Sequence, residues 1–163
     1  MRRFFQIYGL YLAWVVATVA TLGSLYFSEV LGFVPCELCW WQRIFMYPQA
    51  LLLGLASYRD DRRIIPYLLP LNAAGGCIAA FHYLQEQVPG LRLPVCGADA
   101  PCFTPWIDWF GFITIPFMAL TAFTLILICL GLARSAADAA DEPAPAGAGE
   151  GPPAGTGEWG DTP

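Results

Sequence analysis

Lysine is absent from this chain, and histidine occurs once, at position 82. All eight basic residues are arginines, and charged residues of both signs make up only 13% of the 163 positions. Soluble domains usually carry about 25% charged residues. With so few, a soluble chain of this size would not cover its surface with polar groups. No basic stripe exists either, which excludes the usual electrostatic footprint of a nucleic-acid binder. There is no internal repeat, and no A-x-A-like cleavage site precedes a polar mature start, so the apolar N-terminal segment is expected to be retained rather than removed as a signal peptide. What the chain has instead is apolar surface. Hydrophobic residues reach 57% and the mean hydropathy is +0.54, which together predict an integral membrane protein.

The charge that is present divides unevenly. Residues 1–134 hold all eight arginines and seven acids, whereas residues 135–163 hold six acids and no base. That last stretch is rich in Ala, Pro and Gly and shows no apolar periodicity. It cannot bury enough surface to offset its ordering entropy and reads as a disordered acidic tail. Trp159 could make it a partner-binding peptide, but composition alone accounts for the disorder.

Crossing the hydrocarbon core takes about 20 apolar residues. Four stretches qualify, at about 7–27, 43–57, 64–84 and 107–132. The second reaches spanning length only if Cys39, Trp40 and Trp41 belong to it, which places a cysteine pair at the membrane surface. The fold expected is an all-α, four-helix transmembrane bundle over 1–134. Arginine placement sets its direction. Arg2, Arg3, Arg59, Arg62, Arg63 and Arg134 fall on one side, and only Arg43 and Arg92 on the other. Both termini are therefore expected in the cytoplasm, with loops 28–42 and 85–106 outside. Trp40, Trp41, Trp106 and Trp109 fall at the outward interface, where an aromatic belt belongs.

Of the six cysteines, Cys77 and Cys129 lie within spans at depths too different for a disulfide and are expected to be small packing residues. The other four fall in the outward loops as Cys36-x2-Cys39 and Cys96-x5-Cys102. They face the oxidising side of the membrane, where disulfides persist. Three readings are open: structural staples, a four-thiolate zinc site, or redox-active pairs. Local chemistry favours the third. Pro35 suggests that a helix begins beside Cys36, and a helix N-terminus stabilises thiolate. Cys39 and Arg43, four residues apart, share a helical face, so the arginine could stabilise a Cys39 thiolate or hold the polar head group of a molecule dissolved in lipid. An arginine just inside a membrane is expensive and marks function more often than not; its plain alternative is interfacial snorkelling. His82 falls at about the depth of Arg43, so the two are candidates for a shared small-molecule pocket, against a simple interhelical polar contact.

The run Cys36-Glu-Leu-Cys-Trp-Trp-Gln-Arg-Ile-Phe-Met-Tyr-Pro48, with a second outward cysteine pair and four spans, resembles the DsbB/BdbC family of membrane disulfide-forming proteins over about residues 1–134. The resemblance implies a bacterial cytoplasmic (inner) membrane protein that passes electrons from a thioredoxin-like, DsbA-like dithiol partner to ubiquinone or menaquinone. It implies redox-active disulfides Cys36–Cys39 and Cys96–Cys102, the latter facing the partner, with Cys96 attacked first and Cys102 resolving. Cys39 would face the quinone, Arg43 would support quinone binding and His82 would match a family histidine. Only five residues separate Cys96 from Cys102, a spacing like that of the BdbC branch, which leaves open whether an inter-loop disulfide forms. A vitamin K epoxide reductase-like quinone reductase ranks lower, because its CxxC lies late in the bundle. A disulfide-stapled membrane scaffold is the non-enzymatic alternative.

Overall fold

The computed structural model describes residues 2–88, 90, 107, 110 and 112–138, with side chains of 2–7 and 136–138 outside that set. Cys96, Cys102, Arg92, Trp106, Trp109 and residues 139–163, including Trp159, lie outside the described residues. Four long helices account for most of the rest. Helix α1 (Arg2–Leu25) continues through one π-helical turn, Tyr26–Val30. Helix α2 covers Glu37–Arg59, α3 Ile65–Gln87 and α4 Ile115–Asp138. No strand occurs among the described residues.

Among the described residues, three segments are long and apolar enough to cross a membrane: Tyr8–Val30, Arg62–Gln87 and Ile115–Ser135. Helix α2 matches them in length but carries Glu37, Gln42, Arg43, Gln49 and Arg59 along its sequence. Each helix packs on its neighbours in the chain, and α4 closes the ring on α1. Directions alternate. Ser24, near the end of α1, meets Arg43, near the start of α2; Cys36, at the start of α2, meets His82, near the end of α3; and Tyr83 of α3 meets Phe117, at the start of α4. One end of the bundle thus collects the end of α1, the start of α2, the end of α3 and the start of α4.

Helix boundaries depart from the sequence expectation at three places. Helix α2 starts at Glu37 with Cys36 as its N-cap, so Pro35 stands before the helix and not in its first turn. Helix α4 starts at Ile115, eight residues later than expected, with Pro116 near its N-terminus, where the missing N–H breaks no helical bond. It also runs on to Asp138, so residues 135–138 of the expected tail are helical. Ser135 Oγ donates to the Gly131 carbonyl at 3.0 Å there, and the alanines that follow favour continuation.

The exterior and interior are inverted relative to a soluble protein. Leu51 is 78% exposed and Tyr67 77%, with Val19, Leu22, Leu55 and Ile128 also facing out. Gln42, Gln49, Asn72, His82 and Gln85 are buried. Apolar surface of that extent is costly in water and costs nothing in lipid, where polar groups must find partners inside. This is a membrane protein. Cys77 faces outward instead of packing, while Cys129 joins the buried core.

Close helix approach comes from small residues, as in other membrane bundles. A Cβ on Gly9 would lie 3.0 Å from that of Ala133, binding α1 to the far end of α4. A Cβ on Gly75 would collide with the Phe123 ring, one of the largest buried side chains, and approach Phe45. Gly75→Val is therefore expected to destabilise the bundle by about 1–3 kcal/mol through overpacking. Thermal unfolding in detergent checks this, and adding Phe123→Leu should recover part of the loss.

Candidate functional site

Helix α2 begins at Cys36 because that residue's sulfur accepts the Cys39 backbone N–H at 3.4 Å, satisfying one of the donors that a helix start leaves free. The same turn brings the side chains of the CxxC together, and the two sulfurs lie 2.9 Å apart. Cys36 is buried at 6% exposure, and His82 of α3 reaches it with Nε2 3.7 Å from its sulfur. The other ring nitrogen, Nδ1, lies 2.9 Å from the Gln42 amide nitrogen. Gln42 donates to Nδ1, which leaves the ring proton on Nε2, facing the sulfur. Cys36, His82 and Gln42 form a continuous buried chain.

That arrangement favours a thiolate on Cys36. Hydrogen bonding from Cys39 lowers its pKa most, burial opposes, and His82 with the Cys39 amide lowers it further, leaving it at about 4 against the ordinary 9.0. The sequence points to Cys39 as the thiolate, on the strength of Arg43 one turn away. The fold gives the N-cap and the imidazole to Cys36. Arg43 turns toward α1, where Nε donates to Ser24 Oγ at 3.0 Å and a terminal nitrogen donates to the Ser24 carbonyl at 3.1 Å. Its guanidinium also sits 5.4 Å from the centre of the Trp40 ring. Tyr47 donates to the same Ser24 hydroxyl at 3.4 Å.

Beside this contact the bundle opens into a cavity of about 490 Å³, walled by Val16, Val19 and Phe27 from α1 and its extension, Met46 from α2, and Met118 and Phe123 from α4. Cys39, Gln42 and Arg43 border it, together with Ser24 and Tyr47. His82 is not among the lining residues. The two residues expected to share one pocket are thus separated by α2, with Arg43 at the cavity and His82 behind the cysteine pair. Gln42 touches both sides. Ser24 escaped the sequence reading, and Gln42 and Tyr47 entered it only as members of the Cys36–Pro48 run, with no site role; Gln42 lies three residues after Cys39 and so on its helical face. Cys96 and Cys102 lie outside the described residues.

A membrane bundle of helices with a close thiol pair at a helix N-terminus, next to a largely apolar cavity, defines a class: a membrane thiol oxidoreductase. The family model for the disulfide bond formation protein DsbB matches residues 7–133. This chain belongs to the DsbB family. It is 52% identical over 130 residues to Disulfide bond formation protein C of Bacillus subtilis (strain 168), covering 79% of this chain and 94% of that one. It is 49% identical over 126 residues to Probable disulfide formation protein C 1 of Bacillus anthracis, covering 76% and 90% respectively. The identity is 45% over 127 residues to the Probable disulfide formation protein of Coxiella burnetii (strain RSA 493 / Nine Mile phase I), covering 77% of this chain and 86% of that one. No solved structure matches the chain.

In the reduced protein, the near-ultraviolet absorbance of the Cys36 thiolate is expected to appear as pH rises through about 4, the thiol existing only below that. Cys39→Ala and His82→Ala should each move the midpoint upward, Cys39→Ala by more. A midpoint near the ordinary cysteine value in the parent protein would show that the cluster does not hold a thiolate.

Proposed function

We propose that this chain catalyses disulfide bond formation by reoxidising an extracytoplasmic, thioredoxin-like (DsbA-like) dithiol partner and passing the two electrons to a membrane quinone, ubiquinone or menaquinone. In this reading all four helices span a bacterial cytoplasmic membrane, with both termini in the cytoplasm. The 23 residues of α2 give about 35 Å at 1.5 Å per residue, which supports a fourth span. The distribution of arginines supports the direction.

The observation that carries the proposal is the cavity with Cys39 and Arg43 at its edge. Its volume lies in the range of small-molecule sites, about 300–1,000 Å³, and its walls are mostly apolar with a few polar groups at one end. Those residues fit a quinone, whose ring carries two carbonyl oxygens and whose tail is hydrocarbon. When bound, the quinone supplies the two-electron acceptor, taking two electrons and two protons as a dithiol closes to a disulfide.

The chain's own residues do the rest. Of five guanidinium donors, Arg43 spends two on Ser24, which fixes the group and leaves others free to hold a carbonyl oxygen. Cys39 borders the cavity, with its sulfur 2.9 Å from that of Cys36. Cys36 faces His82, and the hydrogen bond from Gln42 keeps that ring in one orientation. Cys96 and Cys102 would take electrons from the partner first: a partner thiolate attacks Cys96 and Cys102 leaves, the partner's second thiol breaks the mixed disulfide and departs oxidised, and exchange of the Cys96/Cys102 dithiol with the Cys36–Cys39 disulfide restores the outer disulfide and leaves Cys36 and Cys39 reduced. Each cycle consumes one partner dithiol and one quinone and yields one disulfide and one quinol.

Anaerobic mixing of the purified protein, a reduced thioredoxin-like dithiol protein and a soluble quinone should bleach the quinone absorbance, and Cys39→Ser should abolish the bleaching. Arg43→Ala removes a charged hydrogen bond worth about 1.5–3 kcal/mol and should raise the apparent quinone KM roughly 10-fold or more, with both disulfides still formed. An unchanged KM would assign Arg43 to interfacial snorkelling. No bleaching with any quinone, alongside disulfides that resist reduction, would favour a stapled scaffold.

A further inference from the structure

Beyond electron transfer, the three donor atoms Cys36 Sγ, Cys39 Sγ and a His82 ring nitrogen all lie within 4.8 Å of one another. Sulfur and imidazole nitrogen with no carboxylate among them are the donors that thiophilic d10 cations prefer over calcium or magnesium. We propose that the reduced protein binds a zinc-type divalent cation through Cys36, Cys39 and His82, and that this ion and the Cys36–Cys39 disulfide exclude each other.

The distances suit this assignment. With Zn–S near 2.3 Å and Zn–N near 2.0–2.1 Å, a tetrahedral ion holds two sulfurs about 3.8 Å apart and sulfur and nitrogen about 3.5 Å apart. Cys36 Sγ and His82 Nε2 are already at 3.7 Å. The two sulfurs, at 2.9 Å, would open by about 0.9 Å to take the ion, and would close by about as much to form a disulfide. The thiol pair stands midway between the two outcomes. A Cys-x2-Cys turn is also a common zinc half-site.

Gln42 supplies the outer partner that metal-bound histidines need. A ligating imidazole donates its second N–H to a carbonyl or carboxylate, which fixes its tautomer. Turning the Gln42 carboxamide through half a turn offers Oε1 to Nδ1–H at the 2.9 Å contact and frees the Nε2 lone pair for the ion. Three protein ligands leave a fourth position for water, as in open zinc sites. Binding converts the Cys36 thiolate, the Cys39 thiol and the cation to a dithiolate complex and one proton, with no electron moved. The ion then occupies the sulfur lone pairs needed for exchange and holds the protein in its reduced form until a chelator removes it.

The test uses the full chain in detergent, reduced, freed of reductant anaerobically and titrated with Zn²⁺ against a chromogenic chelator, with neither quinone nor partner present. Its outcome is therefore independent of the electron route proposed above. A single ion per reduced chain is expected, and none once the Cys36–Cys39 disulfide has formed. Gln42→Leu should weaken binding about 10- to 100-fold, and His82→Ala by more than that. The double variant Cys96→Ser/Cys102→Ser should bind as the parent does. In the unsubstituted protein, Co²⁺ should give thiolate charge-transfer and intense tetrahedral visible bands, a readout that depends on no variant. Parent-like binding in both His82→Ala and Gln42→Leu would overturn the proposal. So would loss of the ion in the Cys96→Ser/Cys102→Ser variant, which would indicate a four-thiolate site, or a Co²⁺ spectrum without thiolate bands.

Discussion

The hydrogen bond from the Cys39 amide to the Cys36 sulfur fixes where α2 starts, and the geometry of the reactive end follows from that start. A helix that begins at Glu37 presents Cys39, Gln42, Arg43 and Met46 in successive turns over one side. Cys39, Arg43 and Met46 then border the cavity, Gln42 reaches across to α3, and Cys36 stays in the cap position, where the helix offers it an N–H. Moving the start by one residue would rotate each of these by about 100° and break the sulfur–imidazole and guanidinium–serine contacts together.

Burial of polar groups is the second constraint, and it is met unevenly. His82 and Gln42 satisfy each other. Asn72 donates to the Phe123 carbonyl at 2.8 Å, joining α3 to α4 across the bundle, yet its Oδ1 has no hydrogen-bond partner among the described residues. Gln49 donates to the Phe45 carbonyl at 2.9 Å, one turn earlier in its own helix, and its Oε1 is likewise unpartnered. Both residues are almost completely buried. In hydrocarbon an interhelical bond such as Asn72–Phe123 holds two helices in register, since sliding would strip it, whereas the Gln49 bond stays within α2.

Much of this was legible in the residues themselves. The three apolar spans, the long helix that carries the CxxC pair at its N-terminus and the proximity of Arg43 to Cys39 follow from period, composition and helical spacing. The division of labour within the pair was not legible. Charge suggested that Arg43 would serve Cys39, but which cysteine gains the imidazole depends on how α3 packs against α2, and no local spacing encodes that. Ser24 was invisible for the same reason, because a serine near the end of an apolar helix has no periodic signature. The late start of α4 reflects Pro116, which suits a helix opening better than a helix interior. The extension to Asp138 reflects alanines that composition alone had grouped with the tail.

Cys36 is 6% exposed and lies behind Cys39, wrapped by α3 on its far side. In water, a dithiol with one strongly acidic sulfur would react with any passing oxidant or small thiol. Here the wall around it acts as electrical insulation. Among the described residues, α3 stands between the sulfur and stray low-molecular-weight thiols on that side. On the electron route proposed above, a leak at this point would drain cellular reductant into the shared membrane acceptor pool without making a single useful crosslink.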